Sequence, residues 1–173
     1  MNPFIHQSKG GGWHLAGLAS TFPDLQSEDG SSAIKPSCKA FSIPRTNAPS
    51  TDDKAPIPAN LDRPGRELKD QVLVFRYKGK FHAIDHQCPH SAFPLSRGSL
   101  FDIEDFGITL SAGITCPQHD WSFDLFSGQG DRGNYKLKVW EVQLREVSEG
   151  EGEGEGEGEG EKEVWVRRKQ RIG

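Results

Sequence analysis

Apolar residues gather in short runs separated by Gly, Pro and charge, a pattern that predicts strands and turns rather than helices. Trp13 to Leu18 reads as a first strand, followed by a loop at Phe22-Pro23-Asp24, and Lys39 to Ile43 reads as a second. Val72 to Tyr77 and Lys80 to Ile84 are two further runs with Lys78-Gly79 between them. Glycine there supplies the positive φ of a tight hairpin. Phe106 to Thr115 contains a strand. Lys136 to Leu144 alternates but slips in phase, with Leu137 and Val139 on one face and Trp140, Val142 and Leu144 on the other. That slip predicts a β-bulge near 139–140, with Val164-Trp165-Val166 as the return strand.

Between these runs lie stretches that cannot build a core. Pro44 to Asp70 is polar and Pro-rich with no sustained period. Glu149 to Glu163 alternates Glu with Gly almost without interruption. Glycine loosens the backbone there and like charges repel, so the run predicts a disordered hairpin tip, with a docking arm for a basic partner as the alternative. The expected organisation is a flexible tail over 1–11 and one domain over 12–171. Insertions at 44–70 and 149–163 interrupt that domain. The expected class is all-β: antiparallel sheets forming a sandwich base, with a small subdomain on top.

The apolar fraction is 34% and the formal net charge is −4, with no strong basic patch. Nucleic acid is therefore not an expected partner. No apolar run approaches a membrane span, and no signal or transit peptide is indicated. Three cysteines do not make a secreted disulfide framework. These readings together predict a soluble, cytoplasmic protein.

The chemistry is concentrated in Cys88-Pro89-His90 and Cys116-Pro117-Gln118-His119, with 25 residues between His90 and Cys116. Each segment follows a strand and offers one thiolate and one imidazole. Proline after each Cys removes a backbone donor and stiffens the loop. Two Cys and two His suit a two-iron cluster in which one iron takes both thiolates and the other both imidazoles. Two ferric ions and two sulfides sum to roughly +2; four thiolates would bring that to about −2, whereas two leave it near about 0. Adding an electron to the neutral form costs less, so the His pair raises the reduction potential. A tetrahedral Cys₂His₂ zinc site is the alternative. Zinc fingers, however, pair Cys with Cys and His with His, whereas each loop here mixes them.

These two segments resemble the cluster loops of the Rieske family. Cys88 to Gly98 (Cys-Pro-His-Ser-Ala-Phe-Pro-Leu-Ser-Arg-Gly) is similar to the first, and Cys116 to Gly128 (Cys-Pro-Gln-His-Asp-Trp-Ser-Phe-Asp-Leu-Phe-Ser-Gly) to the second. The resemblance implies a Rieske-type [2Fe–2S] cluster on Cys88, His90, Cys116 and His119, with no catalytic residue of its own. Family members often have Gly where Ala92 and Asp120 stand, and Ser99 to Phe106 looks like an insertion. Phe93 and Gln118 occupy the places of the loop disulfide in cytochrome bc-type members. Trp121 and Phe123 stand where those members place Ser and Tyr donors. The resemblance therefore implies a ferredoxin or oxygenase-type subclass, with a potential toward the low end of the Rieske range, roughly −150 mV. Trp121 and Phe123 are expected to pack beside the cluster. His82 and His86 are not assigned as ligands, and His86 is read as a loop residue.

Only 54 residues follow His119 and none is His. The chain is therefore not expected to be a complete oxygenase, nor an enzyme by itself. The expected function is one-electron transfer from a flavin reductase to an oxygenase or other terminal acceptor. A regulatory or redox-sensing subunit, a reductase small subunit and a structural zinc module are the alternatives.

Overall fold

The computed structural model describes residues 13–25, 32–34, 37–43, 57–59, 61, 68–146 and 161–169. The expected tail at 1–11, most of 44–70 and nearly all of the Glu-Gly run lie outside them. Among the described residues twelve strands are present: β1 His14–Leu18, β2 Asp24–Leu25, β3 Ser32–Ala33, β4 Lys39–Ser42, β5 Ile57–Ala59, β6 Gln71–Tyr77, β7 Lys80–Asp85, β8 Ser99–Asp105, β9 Ile108–Cys116, β10 Trp121–Asp124, β11 Glu141–Glu146 and β12 Lys162–Arg167. The helical elements among the described residues are short 3₁₀ turns at Ala19–Thr21, Leu68–Asp70 and Leu95–Arg97. Among the described residues no helix is long and apolar enough to cross a membrane. The expected all-β class is what is found.

Three sheets form. One runs β1-β12-β11, a second runs β10-β9-β8-β3, and the third holds β2, β4, β5, β6 and β7. In the third, β6 pairs with β7 along one edge, and with β4 and then, in parallel, β2 along the other. The β6–β7 turn has positive φ at both Lys78 (48°) and Gly79 (81°), and the β8–β9 turn repeats this at Phe106 (51°) and Gly107 (76°). Positive φ at both central residues is the turn whose twist matches a two-residue hairpin.

The unbroken apolar run at the start of β6 has a physical reason. Leu73, Phe75 and Tyr77 face a core that also contains Ile84, Leu95, Leu100, Ile114, Phe123, Leu137 and the thiols Cys88 and Cys116. Val72 and Val74 face a second core with Phe41, Ala83, Trp140, Val164 and Val166. A strand covered on both faces needs no polar alternation. Full burial of Phe75 contributes about 1.5–3 kcal/mol.

The structure corrects the reading of 136–144. No bulged strand is present. Lys136 to Trp140 is irregular and touches its neighbours through isolated bridges, Lys136 with Gln129 and Val139 with Ile84. Leu137 is buried in the first core and Trp140 in the second. The phase slip therefore marks the chain crossing from one core to the other. Leu144, grouped with Trp140 on one face, is 43% exposed whereas Trp140 is buried.

One further segment differs from expectation. Within 44–70, Ile57–Ala59 forms β5 against β4. The basic C-terminal run begins with two engaged arginines. Arg167 bonds Glu141 through Nε (2.7 Å) and Nη2 (2.6 Å), and Arg168 Nη2 donates to the Ile43 carbonyl at 3.1 Å.

Candidate metal centre

The first loop leaves β7 at Asp85 and returns at the Leu95–Arg97 turn. It is closed by main-chain hydrogen bonds from Cys88 N–H to the Phe93 carbonyl (2.9 Å) and from Ala92 N–H to the Cys88 carbonyl (3.1 Å). The tight curvature puts Ala92 at φ 54°. The second loop is the turn between β9 and β10: Cys116 is the last residue of β9 and pairs with Trp121, the first of β10. Asp120 in that turn has φ 58°. The two positions where the family often carries Gly are thus both left-handed, a conformation that costs an L residue roughly 1–2 kcal/mol.

Cys88 and Cys116 are both buried, 1% exposed. They belong to the same buried cluster, near enough for each thiol to influence the other. Burial pushes the Cys116 thiol above its usual range. The backbone N–H of Gln118 acts against that shift, the charge of Cys88 adds to it, and the Ser91 hydroxyl opposes it. Ser91 Oγ, from the first loop, lies 3.9 Å from Cys116 Sγ in the second.

The two imidazoles form a second pair. The His90 and His119 ring centroids are 5.0 Å apart at 79°. His90 stacks flat on Trp121, with centroids 3.9 Å apart and 7° between planes. Tyr135 meets His90 edge-on at 5.4 Å and Trp121 at 5.2 Å. His119 is exposed. The expected packing of Trp121 is therefore specific: it covers the ring of His90. Phe123 is 1% exposed and belongs to the first core, beneath the loops.

Nδ1 of His90 is buried without a hydrogen-bond partner among the described residues. Leaving a buried polar atom unpaired costs on the order of 1–3 kcal/mol, and a ring nitrogen in that state fits a metal ligand. His86 makes the opposite case. Its Nδ1 lies 2.8 Å from Gln71 Oε1 and its Nε2 2.8 Å from Ser96 Oγ, so neither nitrogen is left for a metal. It is a loop residue, as expected, but a fully buried one, and burial pushes its pKa down to about 4.

Among the described residues, no three His, Cys, Asp or Glu side chains converge as a single ion would require. The four candidates instead meet two by two, thiol with thiol and imidazole with imidazole. That arrangement suits two irons, one with sulfur and one with nitrogen ligands, better than one tetrahedral zinc.

A third segment, Gly128 to Lys136, completes the site. No local motif announces it, because Tyr135 reaches His90 only through tertiary folding. Gly128 makes the entry possible. Its φ is 77°, and a Cβ there would lie 2.0 Å from the Leu137 carbonyl oxygen. The base of the second loop is held by the Asp124 carboxylate, which accepts from Phe126 N–H (2.7 Å), Ser127 N–H (2.9 Å) and the Ser111 hydroxyl (2.8 Å). Burial alone would raise the Asp124 pKa, but these donors outweigh it and the net shift is downward.

The family model for the Rieske [2Fe-2S] domain matches residues 54–141. A human Rieske domain-containing protein is 42% identical over 60 residues, which is 35% of this chain and 35% of that protein. The ferredoxin component of the alkene monooxygenase system of Xanthobacter autotrophicus is 35% identical over 60 residues, 35% of this chain and 43% of that protein. The chain thus spans less than half the length of these relatives. A solved complex of reduced oxygenase and oxidized ferredoxin in carbazole 1,9a-dioxygenase aligns with a TM-score of 0.49 and 19% identity, covering 92% of this chain and 97% of that one.

Proposed function

From the premise that this chain belongs to the Rieske [2Fe–2S] domain family, we propose that Cys88, His90, Cys116 and His119 hold its [2Fe–2S] cluster and that the protein passes single electrons between a reductase and an oxygenase or other terminal acceptor. The buried, unpartnered Nδ1 of His90 beside His119, with the Cys88 and Cys116 thiols paired, is the observation that carries this reading. When bound, the cluster supplies a one-electron couple. The chain's own residues supply everything else. The first core buries the two thiols away from water. Trp121 and Tyr135 cover one imidazole, and His119 remains at the surface, the side on which an electron partner has access.

The carrier role is supported by a relative that is the ferredoxin component of an oxygenase system. The domain is taken to run over 12–171, with insertions at 44–70 and 149–163. The test is direct. Protein loaded anaerobically with iron and sulfide is expected to bind two irons per chain, to give an EPR signal only when reduced, and to accept electrons from a flavin reductase. Zinc as the only bound metal would refute the ligand reading. A cluster that a flavin reductase cannot reduce would refute the carrier role alone.

A further inference from the structure

His86 lies immediately after β7, two residues before Cys88. Its imidazole is fully buried, and so are both side chains that hold it: Ser96 is 0% and Gln71 5% exposed. The carboxamide oxygen of Gln71 can only accept, so Nδ1 carries the hydrogen and donates to it across 2.8 Å. Nε2 is then the acceptor for the Ser96 hydroxyl, also at 2.8 Å. The same residue is fixed through its main chain. His86 N–H donates to the Gln71 carbonyl at 3.0 Å, and the His86 carbonyl accepts from Leu95 N–H at 2.8 Å.

These four bonds join three pieces of chain: the first residue of β6, the exit from β7, and the 3₁₀ turn where the first loop ends. Everything from Gln87 to Pro94 hangs from that junction, and Gln87 and Pro94 bridge directly above it. Cys88 and His90 lie within the span. A shift at the neck therefore moves both, and moves them relative to Cys116 and His119, which are fixed independently on β9 and its turn.

We propose that His86 is a positioning residue, a neutral imidazole clasp that sets the neck of the first loop and thereby the placement of Cys88 and His90 toward the second. The proposal rests on the ligand reading given above. It assigns His86 no metal bond, since both of its nitrogens are already engaged.

The test uses the cluster-loaded protein and two variants, His86→Leu and Ser96→Ala. Three properties are read: the reduced-state EPR spectrum, the midpoint potential and the rate of iron loss to a chelator. Leaving Gln71 and Ser96 unpaired in His86→Leu is expected to speed iron loss by about tenfold or more and to shift the EPR g values. Ser96→Ala removes one hydroxyl and is expected to act in the same direction, more weakly. Variants with wild-type spectrum, potential and iron retention overturn the proposal, even if their melting temperature falls. If His86→Leu does not fold, Ser96→Ala decides alone: a shift supports the clasp, and wild-type behaviour overturns it. Wild-type protein that takes up no cluster overturns the ligand reading and the clasp together. Wild-type protein with a cluster and unaltered variants overturns only the clasp.

Discussion

The two candidate cluster loops carry the same donor types in the same order, Cys then His, yet they are held in opposite ways. The neck of the first is tied by a neutral, fully buried imidazole, His86, and its candidate ligand His90 lies under two aromatic rings. The second is an extension of the β9–β10 hairpin, its base pinned by the charged Asp124, and its candidate ligand His119 faces outward. One loop covers its histidine and the other presents it. Matching sequence motifs therefore do not imply matching environments, and the difference can be probed one side at a time.

The thiols are where the loops should behave alike. Cys88→Ser and Cys116→Ser are each expected to abolish cluster binding, read as iron content and visible absorption. Retention of the cluster by one of them would show that the loops are unequal even in their sulfur ligands. Acid should act next most strongly, through His82. That ring sits between Phe75 and Phe126, and Phe126 follows the second loop's anchor. Burial, with Lys80 adding, pushes its pKa down to about 4, while Asp124 pulls the other way. In the unfolded chain His82 takes up a proton below about 6.5; in the folded chain it does so only near about 4. The neutral ring thus contributes stability above the unfolded value, and that contribution is lost as pH falls from about 6.5 to about 4. The full loss is on the order of 3 kcal/mol. Urea titrations across that range should show the decline, and His82→Gln should reduce it, leaving the part contributed by His86, which burial also holds down to about 4.

Removing the charged pin alone, in Asp124→Ala, leaves its donors without their acceptor and is expected to cost about 2 kcal/mol in a urea melt. A loss no larger than that of an ordinary surface substitution would mean the hairpin holds the second loop unaided. Trp121→Ala uncovers His90 and admits water to the sealed side. Water stabilises the more negative reduced centre, so the midpoint should rise by about 50 mV, on the order of 1 kcal/mol for one electron. The smallest effect is expected from Ala92→Gly. It relieves a left-handed residue in the first loop, at the cost of added freedom in the unfolded chain, and should stabilise by roughly 0.5–1 kcal/mol in a thermal melt.

Strands β1, β4, β6, β7, β9, β11 and β12, the turn at Lys78-Gly79 and the motifs that carry the four candidate ligands were legible in the sequence, whereas β2, β3, β5, β10 and β8, read as an insertion, were not. Each legible feature is local: a run, a dipeptide or a short motif states it. What was not legible depends on partners distant in the chain. Leu137 and Trp140 looked like one strand with a bulge, because periodicity does not say that two cores lie on either side of the backbone. His86 read only as a loop residue, with no sign of its burial, because Gln71 and Ser96, which satisfy it, are 15 and 10 residues away and carry no motif. Tyr135 gave no signal at all, since an aromatic in a Gly-rich stretch reads equally as turn or cover. Ala92 and Asp120 were noticed only as departures from the family; their positive φ shows what glycine would have supplied there.

Both cores draw on the same strands, β4, β6 and β7, with Ala40, Leu73, Phe75 and Ile84 turned to one and Phe41, Val72, Val74 and Ala83 to the other. Because these strands are the wall between them, neither half can melt and leave the other intact. The amides of β6 should be among the last in the protein to exchange with deuterium. Damage at the far β1–β12–β11 sheet should then register as earlier release of iron, although no residue there lies near the thiols.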